Sequence, residues 1–169
     1  MLKPEVSPGE SSIFTFLAAV SVCEAVKMVT GITASIKWPN DILINNKKFC
    51  GILTEIEAEP DRVHFVFLGI GLNVNNETQE LLKGAISLKA AVGTEQKFSR
   101  VELLQEILRR IEDNYILFQK NGSPAILDKW KKLNITLGKM VKIFSPKDHV
   151  QGLAVDIAAD GGLLVRRDS

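Results

Sequence analysis

One cluster in the sequence combines an acid, an amide and two amines at close spacing. It is the run Lys37-Trp38-Pro39-Asn40-Asp41, with Lys48 following beyond the pair Asn45-Asn46. Asparagine is one of the few residues other than glycine that tolerate the left-handed backbone of a tight hairpin, so the pair predicts a two-residue turn. In the resulting register Asp41 pairs with Cys50, which places the Asp41 carboxylate on the same face as the Lys48 ammonium.

Two interpretations of this cluster stay open on physical grounds. Trp38 precedes a proline and is therefore held extended, so its strand stops before Asn40 and Asp41, a position where functional sites are often built. An ordinary surface ion pair, worth about 0–1 kcal/mol, explains the same residues equally well.

A second cluster, Gly69-Ile70-Gly71-Leu72-Asn73, ends an apolar run. It lacks the third glycine of a dinucleotide fingerprint, and no periodic helix begins directly after it. Gly69 and Gly71 lie on one face of a strand, where bare backbone lets a flat ligand approach closely. A packing contact or a bulge is the alternative interpretation.

Helices and strands are predicted around both clusters. A helix with apolar positions at helical spacing begins after the Pro8-Gly9 break and ends at Gly31. Strands are predicted at residues 34–38, 41–44, 48–57 and 62–72. Ser99 opens a second helix with a capping box. The apolar side of that helix comprises Val101, Leu104, Ile107, Leu108, Ile111, Tyr115 and Phe118.

The last part of the chain changes from a helical pattern to strand-like runs. A short helix follows Ser123-Pro124 and runs through Leu133. Strand-like runs then occupy residues 140–144, 150–157 and 163–167, separated by turn formers at residues 145–148 and 160–162. We therefore expect an α+β domain over residues 1–134 and a small all-β module over residues 135–169.

Composition excludes several classes of protein. The chain has 169 residues, 46% of them hydrophobic and 24% charged, and a net charge of +1 without any basic block, so no nucleic-acid partner is predicted. The most apolar stretch, residues 13–22, is shorter than the ~20 residues of a membrane span, and no secretory signal is present. We expect a cytoplasmic protein. Cys23 and Cys50 have no metal-binding spacing, so no metal ligand is predicted.

Taken in order, the motifs resemble those of the biotin-protein ligase family. The core of that family carries lysine-tryptophan-proline-asparagine-aspartate, then lysine before glycine-isoleucine-leucine, then glycine-x-glycine-x-asparagine. Flanking features agree as well: Pro8-Gly9, Ile86-Ser87-Leu88, Trp130 and a terminal β module. The resemblance implies the mixed-sheet fold shared by biotin ligases and class II aminoacyl-tRNA synthetases, followed by a partial SH3-like β-barrel.

The resemblance also implies an activity. A ligase of this family forms biotinyl-5'-adenylate from biotin and ATP, with Mg²⁺, and transfers biotin to a lysine of a biotin carboxyl carrier protein. Lys48 would contact the biotin carboxylate and the adenylate phosphate, while Asp41 would orient or deprotonate the carrier lysine.

Further residues follow from the same comparison. Asn73 would bind the nucleotide base and Lys37 would help neutralise phosphate, while Asn40 would support Asp41 and also bind the nucleotide. The implied biotin pocket is lined by Lys48 with Gly51, Ile52, Leu53, Gly69, Gly71 and Leu72.

One family motif does not occur in this sequence. The glycine-arginine-glycine-arginine loop folds over biotin and the adenylate in the family, but here no arginine precedes Arg62. The chain resembles a core truncated at its N-terminus and clipped within its C-terminal domain. We expect weak or no synthesis from it alone, because such a loop keeps water from the reactive anhydride.

Two alternatives to an active ligase stay open. The chain could be a catalytically incomplete remnant that binds nucleotide or biotin, or that dimerises through its sheet edge. It could also be a relative of the lipoate-protein ligases, although the Lys37-to-Asp41 run and the terminal β module argue against this. Homodimers paired through the sheet edge are expected for an active ligase too.

Overall fold

The computed structural model describes residues 1–144 and 149–167, which form four α-helices, two short 3₁₀ turns and two sheets. The predicted turn at residues 145–148 lies outside the described residues. In chain order the elements are α1 (Ile13–Thr30), β1 (Ser35–Lys37), β2 (Asp41–Ile44), β3 (Lys47–Ala58), β4 (Val63–Leu72), α2 (Leu88–Val92), α3 (Arg100–Asn121), α4 (Ser123–Leu133), β5 (Met140–Phe144), β6 (His149–Ile157) and β7 (Leu163–Arg166). The predicted combination of helices and sheet is confirmed.

Helix α1 is the centre of the core. With its preceding 3₁₀ turn it is long and apolar enough to cross a membrane by length and composition, but 67% of its most apolar window is buried inside the protein. The first sheet packs on one side of it, and α3 and α4 pack on another. The helix ends as predicted at Gly31, whose φ of 74° allows its N–H to bond the carbonyl of Lys27.

The first sheet has the order β1-β2-β3-β4, and its neighbouring strands are all antiparallel. Asn45 and Asn46 have φ values of 52° and 59°, so the predicted left-handed turn between β2 and β3 is confirmed. Among the described residues, parallel pairing occurs at the isolated bridges of Ile36 with Asn134 and of Lys48 with Ala85. The mixed character expected of this sheet is therefore limited to those bridges.

Helix α3 begins where the sequence predicts, after Ser99, but its buried side is narrower than the predicted apolar side. The Ser99 hydroxyl accepts a hydrogen bond from the Glu102 amide. Leu103 and Ile107 are buried, whereas three residues predicted for the apolar side are exposed, at 65%, 55% and 57% for Val101, Leu104 and Leu108. The prediction was wrong for these three because α3 contacts α1 along one stripe, and the apolar pattern is wider than that contact.

The second sheet, β5-β6-β7, is antiparallel. It is the small C-terminal sheet expected from the sequence. The SH3-like barrel and the domain limits 1–134 and 135–169 stay predictions. This sheet contacts the rest of the fold through a salt bridge of 2.7 Å between Lys131 on α4 and Asp156 on β6. A second contact joins the turn before β7 to Trp38, whose indole N–H donates to the carbonyl of Gly161 at 3.0 Å.

Candidate functional site

A row of paired residues crosses the whole first sheet. Lys37 pairs with Asp41, Asp41 with Gly51, and Gly51 with Gly71. Directly paired residues of antiparallel strands point to the same face. Ile36, Ile42 and Ile52, which alternate with them, are buried, so the row lies on the face that α1 does not cover. We call this surface the open face.

A β-bulge sets the register of the row. Leu43 pairs with Lys48, but Ile42 pairs with Cys50, so Phe49 is the extra residue. The predicted pair of Asp41 with Cys50 was therefore wrong, because the inserted residue moves Asp41 opposite Gly51. Phe49 and Cys50 are consecutive and both buried. The bulge thus buries two neighbouring apolar side chains and leaves Lys48 with the residues of the open face, as the sequence predicted.

Lys48 and Asp41 form an ion pair on the open face. The Nζ of Lys48 lies 2.6 Å from Oδ1 of Asp41, with side-chain exposures of 51% and 25%. A Cβ at Gly51 would lie 3.3 Å from both Cε and Nζ of Lys48, so the glycine leaves room for the lysine to reach Asp41. An exposed pair of this kind contributes only about 0–1 kcal/mol to folding, so a ligand can replace one partner at little cost.

The backbone of Lys48 is held on its other side by a neighbouring segment. Its N–H donates to the carbonyl of Gly84 and its carbonyl accepts from the N–H of Ile86, both at 2.9 Å. The ammonium can therefore move at the end of its flexible stem while the backbone below it stays fixed.

Asn40 is hydrogen-bonded to strand β3. Its Nδ2 donates to the carbonyl of Ile52 at 2.7 Å. The N–H of Ile52 in turn donates to the carbonyl of Asn40 at 3.1 Å. The amide of Asn40 is therefore engaged in supporting the site. Ile52 is buried in the core, which leaves its main chain, not its side chain, near the open face.

A cavity of about 530 Å³ opens at one end of the open face. Strands β3 and β4 form one wall, and residues 80–85 form the other. Of the predicted site residues, the lining includes Lys48, Gly51, Gly71, Leu72 and Asn73. Six others lie outside the lining: Lys37, Asn40, Asp41, Ile52, Leu53 and Gly69. Asp41 nevertheless contacts Lys48, and Leu53 pairs with Gly69 on the adjoining row.

A larger cavity of about 730 Å³ lies elsewhere, between residues 3–10 and the tip of the β3–β4 hairpin at residues 61–64. It contains none of the predicted site residues. The chemistry carried by the ion pair and the bare glycine backbone favours the smaller cavity.

Lys89 forms ion pairs that were not predicted from the sequence, next to the far wall of the cavity at residues 80–85. Lys89 on α2 is nearly buried, and its Nζ lies 2.8 Å from Glu77 and 3.2 Å from Glu95. The hydrogen bond from Lys89 lowers the pKa of Glu77, and the same bond raises the pKa of Lys89. The backbone N–H of Glu77 also donates to the Glu80 carboxylate at 2.9 Å. No spacing rule connects Glu77 with Lys89, because the loop between them is irregular.

The two cysteines do not supply a nucleophile to the site. Burial raises the pKa of the Cys50 thiol to about 12, and burial likewise raises that of Cys23, so neither is a thiolate nucleophile near neutral pH. Both cysteines are free and buried. In the part of the chain that the structure describes, no group of three His, Cys, Asp or Glu residues could hold a metal ion.

Comparison with known families agrees with the motifs. Residues 1–73 match the model of the biotin/lipoate A/B protein ligase family, and residues 136–169 match that of the biotin protein ligase C-terminal domain. The apo structure of the biotin protein ligase from Aquifex aeolicus has a TM-score of 0.80 at 28% identity, over 94% of this chain and 69% of that one. The structure of that enzyme in complex with biotin and ATP has a TM-score of 0.75 at 28% identity, over 95% and 68% of the two chains.

Curated relatives are similar along nearly the whole chain. The bifunctional ligase/repressor BirA of Bacillus subtilis (strain 168) is 37% identical over 98% of this chain and 51% of that protein. The biotin--[acetyl-CoA-carboxylase] ligase of Mycobacterium tuberculosis is 31% identical over 92% of this chain and 56% of that protein. The chain thus spans about half the length of these relatives. Because both family models match in order and the relatives align with nearly all of it, the chain belongs to the biotin protein ligase family.

Proposed function

We propose that this chain carries the biotin- and adenylate-handling site of a biotin-protein ligase, which forms biotinyl-5'-adenylate from biotin and ATP and transfers biotin to a lysine of a biotin carboxyl carrier protein. The observation that carries the proposal is the open face, where Lys48 reaches across Gly51 to Asp41 beside the bare backbone of Gly71. The complex of the Aquifex aeolicus enzyme with biotin and ATP supports the choice of ligands.

The open face suits a flat, mostly apolar ligand. Gly51 and Gly71 are paired, so their strands offer a floor of peptide groups without side chains. Leu72 lines the cavity, and Leu53 lies exposed on the open face. A fused bicyclic ring would lie on the floor, with its ureido group facing main-chain donors and acceptors and its carboxylate directed toward Lys48.

Adenylate formation brings together two anions, which Lys48 is placed to stabilise. A carboxylate oxygen of biotin attacks the α-phosphorus of ATP, a new P–O bond forms, and the bond to pyrophosphate breaks. A fixed ammonium stabilises the charge that develops on the phosphate oxygens. Because the Lys48 side chain is half exposed, it can turn from the Asp41 carboxylate to the substrate at small cost.

Asp41 serves the transfer step. The carrier lysine attacks the carbonyl carbon of the mixed anhydride as a neutral amine, the bond to AMP breaks, and the amine loses a proton. A carboxylate freed from Lys48 orients that amine and accepts the proton. Lys37 is paired with Asp41 on the open face, where its charge adds to the attraction of phosphate.

Magnesium would enter with the nucleotide. Mg²⁺ is usually bound by one or two carboxylates together with substrate phosphates, and within the described residues no cluster of three possible ligands exists. Asp41 is the carboxylate on the sheet beside Lys48. Bound Mg²⁺ would supply further neutralisation of the phosphates.

By the same proposal, a carrier protein is the macromolecular substrate, and the protein acts in the cytoplasm. The N-terminal segment bonds to the outer edge of β4 at Val66 and Val63, through Leu2 and Val6. Homodimerisation through the sheet edge would use the stretch of β4 beyond these bonds, toward Leu72.

The test compares two neighbouring lysines of one hairpin. Lys48→Ala removes the cation of the open face, whereas Lys47→Ala removes an exposed lysine opposite Ile44. We expect biotin affinity, measured by titration calorimetry, to fall by about 10- to 150-fold in Lys48→Ala, because a hydrogen bond to a charged group contributes about 1.5–3 kcal/mol. Lys47→Ala should bind like the wild type, and both variants should melt like it.

Biotin-dependent exchange of pyrophosphate into ATP is the second measurement. The wild-type chain should give weak exchange that Lys48→Ala abolishes. Biotin binding without any exchange would identify a binding module instead of an enzyme. Exchange that requires lipoate instead of biotin would identify a lipoate-ligase relative, and equal binding by the two lysine variants would refute the role of Lys48.

A further inference from the structure

Trp38, which lies just before Asn40 and Asp41, is hydrogen-bonded to the C-terminal part of the chain. The backbone N–H of Trp38 donates to the Thr136 hydroxyl at 2.9 Å, and its indole N–H donates to the carbonyl of Gly161 at 3.0 Å. Thr136 lies just before β5, and Gly161 lies in the turn before β7. Trp38, at the end of β1, is therefore bonded through its backbone and through its side chain to two separate segments at the other end of the chain.

The segment around Thr136 is itself rigidly attached. The amide of Ile135 donates to the carbonyl of Ile36 on β1 at 3.0 Å. The side-chain oxygen of Asn134 accepts from the amides of Thr136 and Leu137, at 2.8 and 2.7 Å. Thr136 is buried, and hydrogen bonds shielded from water in this way are stronger and resist exchange. The acceptor offered to Trp38 therefore has a fixed position.

The connection continues from Trp38 into the open face. Asn40 follows after one proline and is bonded to Ile52 through both its side chain and its carbonyl. Asp41 comes next and pairs with Lys48. A displacement of Trp38 would move Asn40 first, and through it the strand that carries Gly51.

We propose that Trp38 is a positioning residue through which the C-terminal sheet, by way of Thr136 and Gly161, sets the placement of Asn40 and Asp41. The catalytic role of Trp38 rests on the proposed function. The effect of Trp38 on the local rigidity of Asn40 and β3 does not, because it is expected whether or not biotin is the ligand.

The chain offers well-matched variants. Trp38→Phe keeps an aromatic ring but removes the indole N–H, and Thr136→Val removes the hydroxyl acceptor at similar volume. Thr136→Ser keeps the acceptor and should restore wild-type behaviour. Lys131→Ala breaks the ion pair with Asp156, which joins the same two parts of the protein at 2.7 Å without touching Trp38.

The first measurement is hydrogen exchange of the Ile52 amide, which bonds the carbonyl of Asn40. Loss of one hydrogen bond of about 1 kcal/mol changes an opening equilibrium about fivefold. We therefore expect Trp38→Phe and Thr136→Val to speed this exchange about fivefold relative to the amide of Val20 in the core. Thr136→Ser and Lys131→Ala should leave it unchanged. Unchanged exchange in Trp38→Phe, or equal acceleration by Lys131→Ala, would overturn the proposal.

The second measurement separates binding from transfer. If Asp41 acts on the acceptor amine, Trp38→Phe should lower the biotinylation rate about tenfold while biotin affinity stays within about threefold of wild type, since a misplaced reacting group costs rate more than binding. Equal losses in both quantities would contradict positioning. A wild-type chain that binds no biotin would refute the proposed function, and the exchange of Ile52 would still decide the role of Trp38.

Discussion

Replacing Gly71 with alanine should raise the stability of the protein and lower its affinity for biotin. Gly71 lies in β4 opposite Gly51, and its φ is not in the left-handed region. A Cβ there would meet the carbonyl oxygen of Gly51 at 3.8 Å, an ordinary contact. Because glycine inside a strand costs roughly 0.5–1 kcal/mol relative to alanine, the free energy of unfolding should increase by about 0.5 kcal/mol.

The effect on binding has the opposite sign. The new methyl group would project from the open face into the space above the paired glycines, where the ligand ring is proposed to lie. Forcing an extra methyl group into a packed contact typically costs about 1–3 kcal/mol. Biotin affinity should therefore fall by a factor of about 5 to 150.

Urea unfolding measures the first quantity and titration calorimetry the second. Gly9→Ala is the control, because no atom lies within 4 Å of a Cβ at this position in the 3₁₀ turn before α1. It should leave biotin affinity unchanged. Wild-type affinity in Gly71→Ala would show that the glycine floor does not hold the ligand, and a large loss of stability would show that the glycine serves packing instead.

Two further predictions concern the second sheet and the far wall of the cavity. Gly152→Ala should lower the urea midpoint by the equivalent of about 1–3 kcal/mol, because its Cβ would overlap the carbonyl oxygen of Arg166 and lie 2.7 Å from Cγ1 of Val165; unchanged unfolding would refute this contact. Hydrogen bonding from Lys89 holds the pKa of Glu77 below its ordinary 4.5, so the stabilisation is present above that value and is lost as the pH falls through the lower, folded-state pKa. A series of urea midpoints against pH should show this acid-side loss in the wild type and a smaller one in Glu77→Gln, and identical profiles would contradict it.

Element ends and the hairpin turn were determined by the sequence itself, because they depend on neighbouring residues. The asparagine pair at 45 and 46 adopts positive φ as predicted. Gly31 ends α1 in the left-handed conformation, and Ser99 caps α3. Side-chain chemistry within one turn of backbone is sufficient for each of these features. The short helix α2, five residues long, has too few apolar positions for a periodic pattern.

Register, burial and long-range contacts were decided only by the tertiary structure. A two-residue turn without a bulge would pair Asp41 with Cys50. In the structure Phe49 and Cys50 are both buried in the core, and the resulting bulge moves Asp41 opposite Gly51. The apolar pattern of α3 likewise does not show how much of that helix α1 covers. The exposure of Leu104 therefore could not be predicted from the pattern. The bond from Trp38 to Gly161 joins residues that no local rule connects, because it exists only once the C-terminal sheet packs against the end of β1.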